Sequence, residues 1–128
     1  MYKRTILKTK DKIYKIDLND NINLNLFKNT NNEYSLYNEL FYAIFKNIKC
    51  KIETIEDDFL VLSALGNIPL KTIHYFKKYN DKYIIKIPFN ECSKVFVRRR
   101  PVNKYNFIDN IKLKENINSI EELKEMLS

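Results

Sequence analysis

Three consecutive arginines, Arg98-Arg99-Arg100, carry the most specific chemistry in this chain. The sequence uses nineteen lysines and only four arginines, and three of those four are adjacent. A guanidinium is a planar fork that grips phosphate through two parallel N–H bonds and stacks on bases, which an ammonium does not do. The run therefore points to a nucleic-acid backbone. Its alternative is an edge strand that charge protects from pairing with other chains. Phe96, just before the run, reads either as a stacking ring among cations or as a core aromatic of the same strand.

Other chemistry has little support. The single histidine, His74, has no serine or cysteine that spacing pairs with it, and Asp57-Asp58 reads as a turn. No metalloprotease, phosphate-loop or dinucleotide motif is present, and one glycine does not build a phosphate cradle. Two cysteines and one histidine are too few for a zinc site. The expectation is a non-catalytic protein with no cofactor, no metal and no small-molecule substrate.

Charge is less informative in amount than in placement. Ile, Asn and Lys make up 53 of the 128 residues, the pattern of a very AT-rich genome, so the net charge of +7 partly follows composition. Residues 1–15 nevertheless carry six basic groups against Asp11, and residues 82–114 carry nine against Glu91 and Asp109. Such segregation reads as a basic face toward a polyanion. No apolar run approaches the ~18 residues of a membrane span, and Cys50 and Cys92 stand far apart with no leader peptide, which suggests an intracellular, cytoplasmic or nuclear protein with free thiols.

The elements that must present these residues follow from periodicity. Residues 2–9 and 12–18 alternate; a hairpin across Lys10-Asp11 pairs Leu7 with Tyr14 and Thr5 with Ile16, and sets Arg4 opposite Asp17. Ile22, Leu24 and Leu26 alternate with asparagines as a half-buried strand. Tyr37, Leu40, Phe41, Ile44 and Ile48 recur at helical spacing and predict a helix over about 33–48. After a short strand or loop and the turn Glu56-Asp57-Asp58, the apolar run 59–65 reads as a central strand buried on both faces. Gly66, the only glycine, is then a structural turn, and Pro69 predicts a second helix that ends near Tyr79. Asn80-Asp81 turns into a strand over 82–89. If the chain returns after Asn90, Val95 falls opposite Phe89 and Val97 opposite Ile87, so that Phe96, Arg98 and Arg100 share the face of Lys86. A short strand over 107–113 turns Ile111 and Leu113 inward, and Ser119 with Glu122 forms a capping box before a closing helix. The sum is a single α+β domain over 1–128, in two layers: a mixed sheet, two main helices on one face, an N-terminal hairpin and a small C-terminal helix.

That order of elements resembles the Alba family of small DNA- and RNA-binding proteins, whose superfamily includes the Alba-type small subunits of eukaryotic ribonuclease P and ribonuclease MRP. The likeness covers about residues 20–114 and rests on the segment from Ala64 to Ile73, where Gly66, Lys71 and Ile73 match in kind. Residues 81–87 are similar to the family's third strand and 108–113 to its last, with the three arginines where the family carries a basic hairpin arm. The resemblance implies an Alba-like core over 20–114, with 1–19 and 115–128 as extensions. It implies a subunit of a homo- or heterodimer with an Alba-like protein partner, binding structured RNA through Arg98, Arg99, Arg100, Lys86, Lys104, Lys28 and Lys71, with Phe96 beside them. An Alba-like DNA-binding homodimer and a small protein-interaction module from a mobile element are the alternatives.

Overall fold

The segment whose apolar residues recur at helical spacing is a strand. The structure, a computed structural model, describes residues 3–8, 13–16, 35–102 and 112–128. Its strands are β1 (Lys3–Lys8), β2 (Ile13–Ile16), β3 (Ser35–Phe45), β4 (Ile48–Glu56), β5 (Phe59–Ala64), β6 (Lys77–Tyr79), β7 (Lys82–Pro88), β8 (Lys94–Pro101) and β9 (Lys114–Asn116), and α1 (Ile120–Leu127) is the one α-helix among the described residues. The α+β fold with two main helices is thereby corrected to an antiparallel β-sheet architecture. Two compact units share the chain, one holding Phe41–Val97 with Glu115–Ser128, the other Lys3–Leu40 with Arg98–Lys114.

In the second unit β1 and β2 form the expected hairpin, with Thr5 opposite Ile16 and Leu7 opposite Tyr14. Asp17 lies outside the described residues. The other edge of β1 pairs antiparallel with the first half of β3, Leu7 against Leu36 and Lys3 against Leu40. Ile6, Leu7, Leu36 and Tyr37 are buried there.

In the first unit the end of β3 turns into β4 through Lys46-Asn47, both left-handed at φ 48° and 65°. Positive φ at both central residues is the hairpin turn that matches strand twist. β4 returns through Asp57, at φ 55°, into β5. The register slips between Ile52 and Thr54, which bulges the strand at Glu53. β5 pairs β7, and β7 pairs β6 across Asn80-Asp81. Phe41, Phe45, Ile52, Leu60, Leu62, Ile87, Val95 and Val97 fill the core, joined by Ile120 and Leu123 from α1.

Each departure from expectation has a physical cause. Eight of the eleven residues of β3 are buried, so its sequence lacks the strand signature of alternation and its apolar residues fall at three- and four-residue spacings by accident. The second helix is replaced by a single 3-10 turn, Ile73–Tyr75, followed by β6. Gly66 sits at φ 73° with open space where a Cβ would point, so the backbone angle alone requires glycine. β8 pairs β3 and β9 and not β7, because β5 and β6 already occupy both edges of β7. Val95 and Val97 therefore do not face Phe89 and Ile87 across a ladder. Of the last expected strand, 107–111 and with it Ile111 lie outside the described residues, and Leu113 is 58% exposed. The expected strand over 22–26 is also outside them.

The C-terminal helix follows its sequence. Ser119 Oγ accepts from Glu122 N–H at 3.1 Å, and the Glu122 carboxylate accepts from Asn118 N–H at 3.0 Å. Ser119→Ala should lower stability by about 1 kcal/mol in urea unfolding, whereas Ser128→Ala, which removes only an exposed terminal bond to Glu125, should leave the midpoint unchanged.

Cys50 lies fully buried in this core, and burial, with a smaller contribution from Cys92, pushes its thiol up to about 12. Burial, then the charge of Glu91, pushes Cys92 up to about 11. Both thiols ionise at about 9 once unfolded. The unfolded chain thus loses protons that the folded chain keeps, so this stabilisation is complete below pH 9 and is lost as pH rises through 11 to 12. Urea midpoints should fall across that window, less steeply in Cys50→Ala/Cys92→Ala, and the native thiols should resist an aromatic disulfide reagent at pH 8 until the chain is unfolded.

Candidate nucleic-acid interface

Alternation along β8 divides the arginine run between two faces. Arg99 points inward: its Nε donates to Glu39 Oε2 at 2.8 Å and its Nη1 to the Lys112 carbonyl at 3.1 Å. Glu39, on β3, is only 2% exposed. Its other oxygen takes Arg4 Nε from β1 at 2.5 Å, so each carboxylate oxygen holds one guanidinium. A buried carboxylate is tolerated only when paired and hydrogen-bonded in this way. Tyr37 beside it has its hydroxyl pKa raised, first by burial and then by the Glu39 charge, with Arg99 and Arg4 working the other way.

Arg98 and Arg100 lie on the opposite face and are exposed. Neither makes an ion pair among the described residues. Arg99 N–H donates to the Leu113 carbonyl at 2.7 Å, and Ile117 N–H donates to the Val95 carbonyl at 2.8 Å. These two bonds fall in one antiparallel register, which places Arg98 opposite Lys114, the first residue of β9, while Arg100 and Lys112 each lie two residues further on, beyond the end of the β8–β9 ladder. Both lysines are exposed as well. The result is a square of four exposed cations, Arg98 and Lys114 across the end of the β8–β9 pair and Arg100 and Lys112 just beyond it. Lys112 and Lys114 were not singled out from sequence. Their signal was a Lys-Leu-Lys alternation that mirrors Arg-Arg-Arg once the two segments are paired.

The other sequence-derived candidates are dispersed. Phe96 is 2% exposed, its ring 5.5 Å from that of Tyr42 with Lys49 over both, so it packs as a core aromatic and offers no stacking face. Lys86 is exposed on β7 but pairs with Glu56 at 2.7 Å. Lys71 is exposed in the segment after Gly66. Lys28 and Lys104 lie outside the described residues. His74 is exposed and its ring rests 4.1 Å from that of Tyr75. Among the described residues no three metal-ligating side chains converge, and no helix is long and apolar enough to cross a membrane.

No protein-family model, curated protein or solved structure matches this chain. The site must be read from its own geometry.

That geometry assigns opposite roles to neighbouring arginines. Arg99→Ala should cost about 2–3 kcal/mol in urea unfolding, below the full cost of breaking a buried ion pair because Arg4 remains on Glu39. Arg98→Ala and Arg100→Ala should each stay within about 0.5 kcal/mol of wild type, as exposed substitutions do.

Proposed function

We propose that this protein is a non-catalytic RNA-binding protein that holds the RNA backbone on the exposed face of β8 and residues 112–114. The observation that carries the reading is the gathering of like charges, Arg98 across from Lys114 at the end of the β8–β9 pair and Arg100 and Lys112 just beyond it. Like charges directly opposite in a ladder destabilise it. A polyanion laid across the square converts that repulsion into attraction and releases its own condensed counterions. The two arginines add bidentate phosphate contacts that lysine would not make.

RNA fits this surface better than duplex DNA. An open sheet face serves unpaired or irregular strands, whereas reading the major groove requires an inserted helix or ribbon. The proposal needs no partner subunit.

The test is fluorescence polarisation of a labelled structured RNA across a salt series, wild type beside Arg98→Ala/Arg100→Ala. The expected result is a log–log salt slope shallower by roughly 1.5 in the double variant, the loss of about two phosphate contacts, with an unchanged melting temperature. Absence of wild-type binding at about 50 mM salt, or identical slopes, would exclude the cationic square as the RNA site.

A further inference from the structure

We infer that the outer face of β5, β7 and β6 is a second subsite, one that stacks unpaired bases of a single-stranded RNA. The inference rests on the RNA-binding reading but on a separate set of residues. Leu60, Leu62 and Ile87 are buried beneath these strands. The residues that alternate with them face out: Val61 opposite Lys86, and across the next ladder Ile84 opposite Lys77 and Lys82 opposite Tyr79. A groove of about 450 Å³ opens there, with an apolar floor from Val61 and Ile84, tyrosine rings from Tyr75 and Tyr79, and ammonium groups from Lys77 and Lys86.

Two large rings stand in solvent on this face, Tyr79 59% exposed and Tyr75 44% exposed. Tyr75 is also held in place. Its ring meets Phe45 edge-on at 5.8 Å, lies 4.1 Å from His74, and has Lys46 over it at 4.8 Å. With His74 and Lys46 against its ring, Tyr75 forms a fixed wall of the groove and leaves Tyr79 as the ring open to a stacked base. Base–aromatic stacking is tolerant of sequence, since every base offers a π-face.

The charges choose the occupant. An apolar floor between tyrosines would accept an aromatic peptide side chain equally well, but Lys77 forms no ion pair among the described residues, and Lys86 adds a second lining cation against the single carboxylate of Glu56. Lys86 is bound to Glu56, with both side chains about half exposed at 52%. Such a surface pair contributes only about 0–1 kcal/mol, so a phosphate displaces it readily. Flat π-faces joined by phosphates are the chemistry of an oligonucleotide, and the volume lies in the range of small-ligand sites.

The probe is a single-stranded oligoadenylate of about eight nucleotides, beside its deoxy counterpart and a blunt RNA duplex. The chain has nine tyrosines and no tryptophan, so tyrosine fluorescence reports directly on stacking. The oligoadenylate should quench it. Tyr79→Ala should weaken single-strand binding roughly fivefold to a hundredfold, Tyr79→Phe should retain it, and duplex binding should be unchanged in both. An equal loss on the deoxy oligomer supports stacking, in which no 2′-hydroxyl takes part. Single-strand affinity that survives Tyr79→Ala while Arg98→Ala/Arg100→Ala abolishes it overturns the stacking subsite and leaves the cationic square standing. The reverse pattern overturns the square and leaves the subsite. Tyr79→Phe failing as badly as Tyr79→Ala would also exclude stacking, and wild-type protein that binds no oligonucleotide removes both.

Discussion

A buried carboxylate dictates the arrangement around β8. Glu39 has almost no contact with water, and an ionised group there is stable only if both oxygens are satisfied. Arg4 from β1 takes one and Arg99 from β8 takes the other, so one charge fastens three strands. The same guanidinium reaches the Lys112 carbonyl and draws the segment before β9 against β8. Guanidinium is the suitable cation, since its several N–H donors serve a carboxylate and a carbonyl together in one plane. Once Arg99 is committed inward, the alternation of the strand leaves Arg98 and Arg100 nowhere to point but outward. The inward ion cluster thus sets the outward one.

How much of the fold could be read from sequence depended on how local each signal was. The N-terminal hairpin joins segments a few residues apart, and its pairing of Leu7 with Tyr14 was legible to the residue, although Thr5, Ile6 and Leu7 are all buried and Ile13 and Tyr14 are exposed. Ser119 and Glu122 were legible because capping is local chemistry. β5 was legible as an interior strand of the sheet from its apolar run, but it is not buried on both faces: Leu60 and Leu62 are buried, while Phe59 is exposed and Val61 half-buried on the other side. β3 was not: with both faces covered, its residues satisfied helical spacing as well as strand spacing, and only length and flanking turns separate the two. The turn that would have decided the matter, Lys46-Asn47, lacks the glycine that usually marks such a hairpin. The second helix failed for a related reason. Gly66 signalled a turn correctly, whereas Pro69, read as the start of a helix, opens only a short turn; the basic segment Lys77–Tyr79 that follows forms an edge strand whose side chains are all exposed, and it buries no helical stripe.

The candidate site was half legible by the same logic. The rarity of arginine singled out the run, and alternation along a strand implied two faces. Sequence did not reveal which face would be buried, because the partner carboxylate lies sixty residues away on β3. Phe96 was open between core and surface, and the Tyr42 ring against it, with Lys49 over both, decides it as a buried aromatic. Lys112 and Lys114 gain meaning only from the register that Leu113 makes with Arg99.

Codon drift is the strongest competing account of this protein's charge, and geometry answers it in part. Drift raises lysine everywhere, and several of the described lysines meet that description: Lys86 and Lys124 sit beside single acids, and Lys49 and Lys78 lie over aromatic rings. These are the placements that solvent and neighbouring side chains make nearly neutral in energy. Drift does not account for arginine in a chain that otherwise avoids it, nor for arginine placed where the opposite strand already carries lysine. A ladder shaped only by folding would favour an acid or a neutral residue opposite Arg98, since opposite charges across strands stabilise and like charges do not. The like charges of Arg98 and Lys114 therefore add repulsion across the end of the ladder. A feature that local stability disfavours and composition does not supply is best explained by a polyanionic ligand, which is why the RNA reading rests on Arg98 and Arg100 and not on the net charge.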